Sequence, residues 1–91
     1  MPTSMMKLTD VSVLSSDRLL LTFSDGSFGE WSGRELIDRD TVMTRPLSEP
    51  DYFARAFIEA GALAWPNGLE LSAPSLHRRL REAGALRQKA A

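Results

Sequence analysis

The sequence predicts an α+β fold: a small antiparallel sheet, built as a three-stranded N-terminal meander plus a second hairpin, with two or three short helices. Three observations predict it. In Arg18-Leu19-Leu20-Leu21-Thr22-Phe23, an extended chain puts Leu19, Leu21 and Phe23 on one face and Leu20 and Thr22 on the other. Asp25-Gly26 follows at once, and this pair between apolar runs signals a hairpin because glycine takes positive φ without steric cost. Leu76, Leu80 and Ala83 then recur at helical spacing and form the expected buried stripe of a last helix.

The elements follow in order. Residues 6–14, with Leu8, Val11 and Val13, read as a first strand, and Ser15-Ser16-Asp17 as a polar connector. After the second strand and its Asp-Gly turn, residues 28–31 return as a third strand, with Gly29 and Trp31 on the opposite side from Phe28 and Glu30. Ser32 with Glu35 matches a capping box and opens a short helix to about Arg39. Residues 47–56 carry a second helical signal, with Ser48 or Glu49 as cap and Pro50 in the first turn. The apolar runs on either side of Ala60-Gly61 predict the second hairpin, and Trp65 ends it. Pro66 lacks an N–H and stops the strand, Asn67-Gly68 turns the chain, and Leu69 and Leu71 point back to the core. Ser72 is the expected N-cap of the last helix, Pro74 fits its first turn, and Gly84 ends it before a loose tail.

Ninety-one residues make one domain, expected over residues 5–82, with 1–4 and 83–91 as flexible ends. A chain of this size buries only about 60–65% of its unfolded surface, so modest stability is expected. Cysteine is absent, which excludes disulfides, thiol nucleophiles and thiolate metal sites. No apolar run approaches the ~18 residues of a membrane span, and residues 1–7 lack the apolar core of a secretory signal. These features fit a cytoplasmic bacterial protein that does not enter membranes. Net charge is −1 but unevenly spread. From Ser75 onward Arg78, Arg79, Arg81, Arg87 and Lys89 stand against Glu82 alone, leaving that segment at +4 and the rest at −5.

Three groups of residues occur in sequence: Phe23-Ser24-Asp25-Gly26, then Leu47 with Phe53, then Trp65-Pro66-Asn67-Gly68-Leu69-Glu70-Leu71 with Pro74 and Leu76. Together they resemble the small bacterial family called domain of unknown function 2442, over about residues 5–80. The resemblance implies a compact α+β domain with a small antiparallel sheet. It also implies a partner: members are often encoded beside another small protein, in pairs proposed to be toxin–antitoxin-like. Two positions depart from the family pattern, Glu70 where Asp is usual and His77 where Tyr is common. The resemblance supplies no catalytic residues.

Asp25, Gly26, Trp65, Pro66, Asn67 and Gly68 are therefore read as a structural motif, the joints of the fold. No catalytic, cofactor-binding or metal-binding residue is expected. His77 is the sole histidine, and Asp38, Asp40 and Asp51 lie in polar segments beside Arg39 and Arg45, where solvated ion pairs are expected rather than acid–base chemistry. The expected partner-binding residues are Trp31, taken as partly exposed, and Arg78, Arg79 and Arg81 on the last helix, because tryptophan and arginine concentrate at interface hot spots. The sequence thus points to a non-enzymatic protein-interaction module, either a homo-oligomer or the antitoxin-like partner or inhibitor of another bacterial or mobile-element protein. The rival reading is a nucleic-acid-associated regulator that neutralises phosphates with the basic last helix.

Overall fold

In a computed structural model, described over residues 6–88, the elements run β1 (Leu8–Ser15), β2 (Arg18–Phe23), β3 (Phe28–Ser32), α1 (Arg34–Arg39), a 3-10 turn (Arg45–Ser48), α2 (Pro50–Phe53), β4 (Phe57–Glu59), β5 (Ala62–Ala64), β6 (Glu70–Leu71), α3 (Ala73–Glu82) and β7 (Leu86–Arg87). The fold is α+β, with an antiparallel four-stranded sheet ordered β1-β2-β3-β7 and an antiparallel three-stranded sheet ordered β4-β5-β6.

The alternation in β2 sets the first sheet. Leu19, Leu21 and Phe23 are fully buried, and their register partners Trp31, Gly29, Val13 and Val11 share that face. Glu30 pairs with Leu20 on the opposite, wetter face and bonds Arg18 there at 2.9 Å. The core joins this face to Leu36 of α1, Leu47, Phe53 of α2, Leu63, Trp65, and Ala73, Leu76 and Leu80 of α3. Burial of large apolar groups of this kind stabilises by about 1.5–3 kcal/mol per side chain.

Both predicted hairpins form. Gly26 takes φ 88° at the first, and at the second Ala60 and Gly61 both have positive φ, 52° and 85°. Ser72 caps α3 by accepting the Ser75 N–H at 3.3 Å, with Pro74 in the first turn.

Several expectations are corrected. Trp31 is not partly exposed but buried, at 6% exposure, because its register partner is Leu19 on the core face. The capping box does not close: Gly33 occupies the N-cap position, Ser32 Oγ accepts from Arg34 N at 3.2 Å, and Glu35 turns to arginines instead. Ala83 lies past the end of α3 and is exposed, while Ala73 takes a place in the buried stripe. The chain after Gly84 is not a loose tail as far as it is described. Leu86 and Arg87 add a fourth strand on Gly29 and Phe28, and the backbone reaches there because Gly29 has no side chain. A Cβ on Gly29 would stand 2.7 Å from the Ala85 carbonyl oxygen. Glu70-Leu71 likewise forms a strand, on β5. The expected flexible ends at residues 1–4 and 89–91 lie outside the described residues.

Candidate functional site

The Trp65–Gly68 motif is a joint with a hydrogen bond on nearly every polar group. Trp65 N–H donates to the Leu69 carbonyl and Gly68 N–H to the Trp65 carbonyl, each at 3.0 Å, which closes the turn that Pro66 begins. The Asn67 side chain accepts from Leu69 N–H and donates its amide to the Met43 carbonyl at 3.0 Å, while its backbone N–H donates to the Tyr52 hydroxyl. The indole of Trp65 donates to the Phe53 carbonyl. Trp31, Phe53 and Trp65 pack as one aromatic cluster, with centroids 6.0–6.5 Å apart and Trp31 stacked parallel to Phe53. This motif locks the second sheet to α2; it presents no reactive group.

Asp25 and Gly26 form a second joint. The Asp25 carboxylate accepts both the backbone N–H and the hydroxyl of Ser27, and faces His77 Nε2 of α3 at 3.2 Å. The Ser27 hydroxyl holds the carboxyl below its ordinary pKa; burial opposes this, and the Ser27 N–H and His77 add to it. His77 also meets the Phe23 ring edge-on at 5.1 Å. The sequence shows His77 only as a lone histidine and gives no sign of its partner, because nothing local links positions 52 residues apart. The order of this cluster is hydroxyl, carboxylate, imidazole. Nucleophile activation needs the imidazole between the other two, so the arrangement ties a hairpin to a helix.

The three arginines proposed for partner binding are all exposed on α3 but differ in their surroundings. Arg79 is held by Glu35 at 2.7 Å, and Glu35 also meets Arg39 at 3.6 Å. Arg78 and Arg81 are exposed on α3 and make no ion pair among the described residues. Arg79, Arg18, Glu30 and Glu35 rim an open groove of about 400 Å³ whose apolar wall includes Trp31 and Leu80. The groove follows β3 beyond the point where the two-residue β7 stops. Trp31 and Arg79 are thus brought together; Arg78 and Arg81 are not among its lining residues.

An open sheet edge lies elsewhere, on β1. One side of this strand pairs with β2, while on the other a backbone bond from Leu8 N–H to the Gly61 carbonyl covers only its first residue. Among the described residues, no backbone group from 9 to 15 has a partner beyond β2. Val13 and Leu14 are 49% and 47% exposed there. Val13 faces the same way as fully buried Leu19, so its exposure marks where the core face runs past the last element that covers it. The sequence did not single out this edge among its site residues. The signal available was the density of apolar residues in a strand with no lysine or proline to blunt it.

No group of three or more histidine, aspartate or glutamate side chains suited to a metal ion occurs among the described residues. No described helix is long and apolar enough to cross a membrane. No family model, curated protein or solved structure matches this chain, so the likeness to the 2442 family rests on the residues quoted for it.

Proposed function

We propose that this chain is a non-enzymatic protein-interaction module that binds by adding a strand to an open sheet edge. The observation that carries the reading is the outer side of β1, which past Leu8 has no backbone partner among the described residues, with Val13 and Leu14 exposed along it. Such an edge supplies a row of main-chain donors and acceptors for affinity and alternate side chains for specificity. The groove beside Trp31 and Arg79 offers a smaller second contact. The likeness to the 2442 family adds an antitoxin-like or inhibitory role toward another small bacterial or mobile-element protein. A cytoplasmic location and the absence of catalysis belong to the same reading, supported by the lack of cysteine and the structural order of the Ser27–Asp25–His77 cluster.

The rival, a nucleic-acid-associated regulator, rests on the basic last helix. The ion pair at Arg79 weakens it, since phosphate binding needs cations that are free to be neutralised. Two variants separate the readings: Val13→Lys, and the triple reversal Arg78→Glu, Arg79→Glu, Arg81→Glu. Each is compared with the wild type in affinity capture and in fluorescence anisotropy with mixed duplex DNA at low salt. The interaction reading expects Val13→Lys to release a retained protein, with no DNA binding by any variant below about 100 μM, the weak end of the non-specific range. DNA binding that weakens only in the arginine variant, with a shallower salt dependence, would establish the rival instead.

A further inference from the structure

We propose that the occupant of the β1 edge is a second copy of this chain, paired antiparallel about a two-fold axis at Ser12 to make one continuous eight-stranded sheet. This rests on the interaction role proposed above and names its partner.

Self-pairing fits the side chains of this strand. A two-fold axis perpendicular to the sheet keeps each copy's core face on the same side. Centred on Ser12, it sets Val11 of each copy directly opposite Val13 of the other. Val11 and Val13 share the core face with Leu21 and Leu19, so four valines meet across the axis and continue both cores through the gap now left at Val13. Moving the axis by one residue destroys this match. An axis at Val11 sets Val13 opposite Thr9, and an axis at Val13 sets Val11 opposite Ser15. Side-chain pairing across antiparallel strands is what selects register, and here one register alone is apolar on the buried side.

Charge complementarity gives the direction. Lys7 stands at the N-terminal end of β1, and Asp17, which also meets Arg34 at 3.3 Å, just beyond its C-terminal end. An antiparallel copy brings the lysine end of each strand to the aspartate end of the other, whereas a parallel copy would set like charges side by side. Within the strand Asp10 is the sole charge, and in the antiparallel register it faces Leu14 rather than a second carboxylate. Register irregularities fall between Leu8 and Asp10 and between Val13 and Ser15. They bracket a regular stretch within which the four valines lie, and they limit how far any added strand can pair.

The absence of native cysteine makes the test direct. Directly opposed residues of an antiparallel pair have Cα atoms about 4.5–5.5 Å apart, inside the span a disulfide bridges. The variant Ser12→Cys, exposed on the outer face, is oxidised beside Ser48→Cys, which is exposed on the 3-10 turn. Ser12→Cys should give at least about tenfold more covalent dimer, because pairing raises the effective thiol concentration. Light scattering on the wild type at about 100 μM should give the mass of two chains. Val13→Lys should give the mass of one chain with an unchanged circular dichroism spectrum, since the position is half exposed.

A wild type that stays a single chain at that concentration, or equal cross-linking at both positions, overturns the pairing. If Val13→Lys nonetheless releases a captured protein, the edge holds a foreign strand: the self-pairing is wrong and the interaction role stands. If the wild type is a single chain and no protein is captured, both fail.

Discussion

The indole N–H of Trp65 donates to the backbone carbonyl of Phe53 at 3.1 Å, joining the residue after β5 to the last residue of α2. Both groups are buried, so the bond is sheltered from water, and its loss leaves the carbonyl with only the longer 3.3 Å bond from the Ala56 N–H.

Trp65→Phe should therefore lower stability by about 2–4 kcal/mol, combining the lost volume with the loss of a buried hydrogen bond. Trp31→Phe should cost about 1–2 kcal/mol, because its ring packs in the same aromatic cluster but its indole donates to no protein acceptor among the described residues. Urea denaturation of the two variants checks the order. Equal losses would mean that the bond to Phe53 contributes little.

Gly29 should resist substitution despite lying in a strand. Gly29→Ala puts a methyl 2.7 Å from the Ala85 carbonyl oxygen and 3.0 Å from Leu80 Cδ1, so the chain between α3 and β7 must move. A loss of about 1–3 kcal/mol is expected, with faster amide exchange at Leu86 than in the wild type. Unchanged exchange at Leu86 would show that β7 does not depend on this close approach.

Ala60 offers a gain. It holds φ 52° in the two-residue turn between β4 and β5, a conformation that strains an alanine, and Gly61 follows with φ 85°. Asn-Gly suits such a turn. Ala60→Asn should raise stability by about 0.5–1 kcal/mol, read as a higher urea midpoint with an unchanged slope.

Asp25 predicts a pH dependence with a definite sign. Its carboxyl is held below the ordinary value, first by the Ser27 hydroxyl, so the folded chain binds that proton less tightly than the unfolded chain. The stabilisation is present above the unfolded pKa of about 4 and is lost as pH falls through the folded value. Asp25→Asn should thus be less stable than the wild type near neutral pH, with the gap closing below about pH 4. A gap that stays constant on acidification would place the effect of the variant outside proton binding.

Much of this fold is written in local signals. The period-two pattern of Arg18–Phe23, the Asp25-Gly26 and Ala60-Gly61 turns and the Ser72 cap each act within a few residues, and each forms where expected. The two-residue strands β6 and β7 are set by long-range pairing alone and leave no periodicity to read. Trp31 is more instructive. Alternation puts it on the side away from Glu30 without saying whether that side is dry; register against Leu19 decides the matter. For the site, the arginines of α3 were visible as charge, yet the carboxylate that neutralises Arg79 comes from α1, 44 positions away. The β1 edge was legible as a strand, whereas its openness depends on which elements fail to cover it.

Amide exchange along β1 tests the central claim most directly, because an occupied edge protects the amides that point away from β2. Protection at Val11 and Val13 should rise with protein concentration in the wild type, and protection at Val11 should remain at its low-concentration level in Val13→Lys. Outward-pointing amides that exchange fast at every concentration, with captured partner protein or without it, would contradict the account.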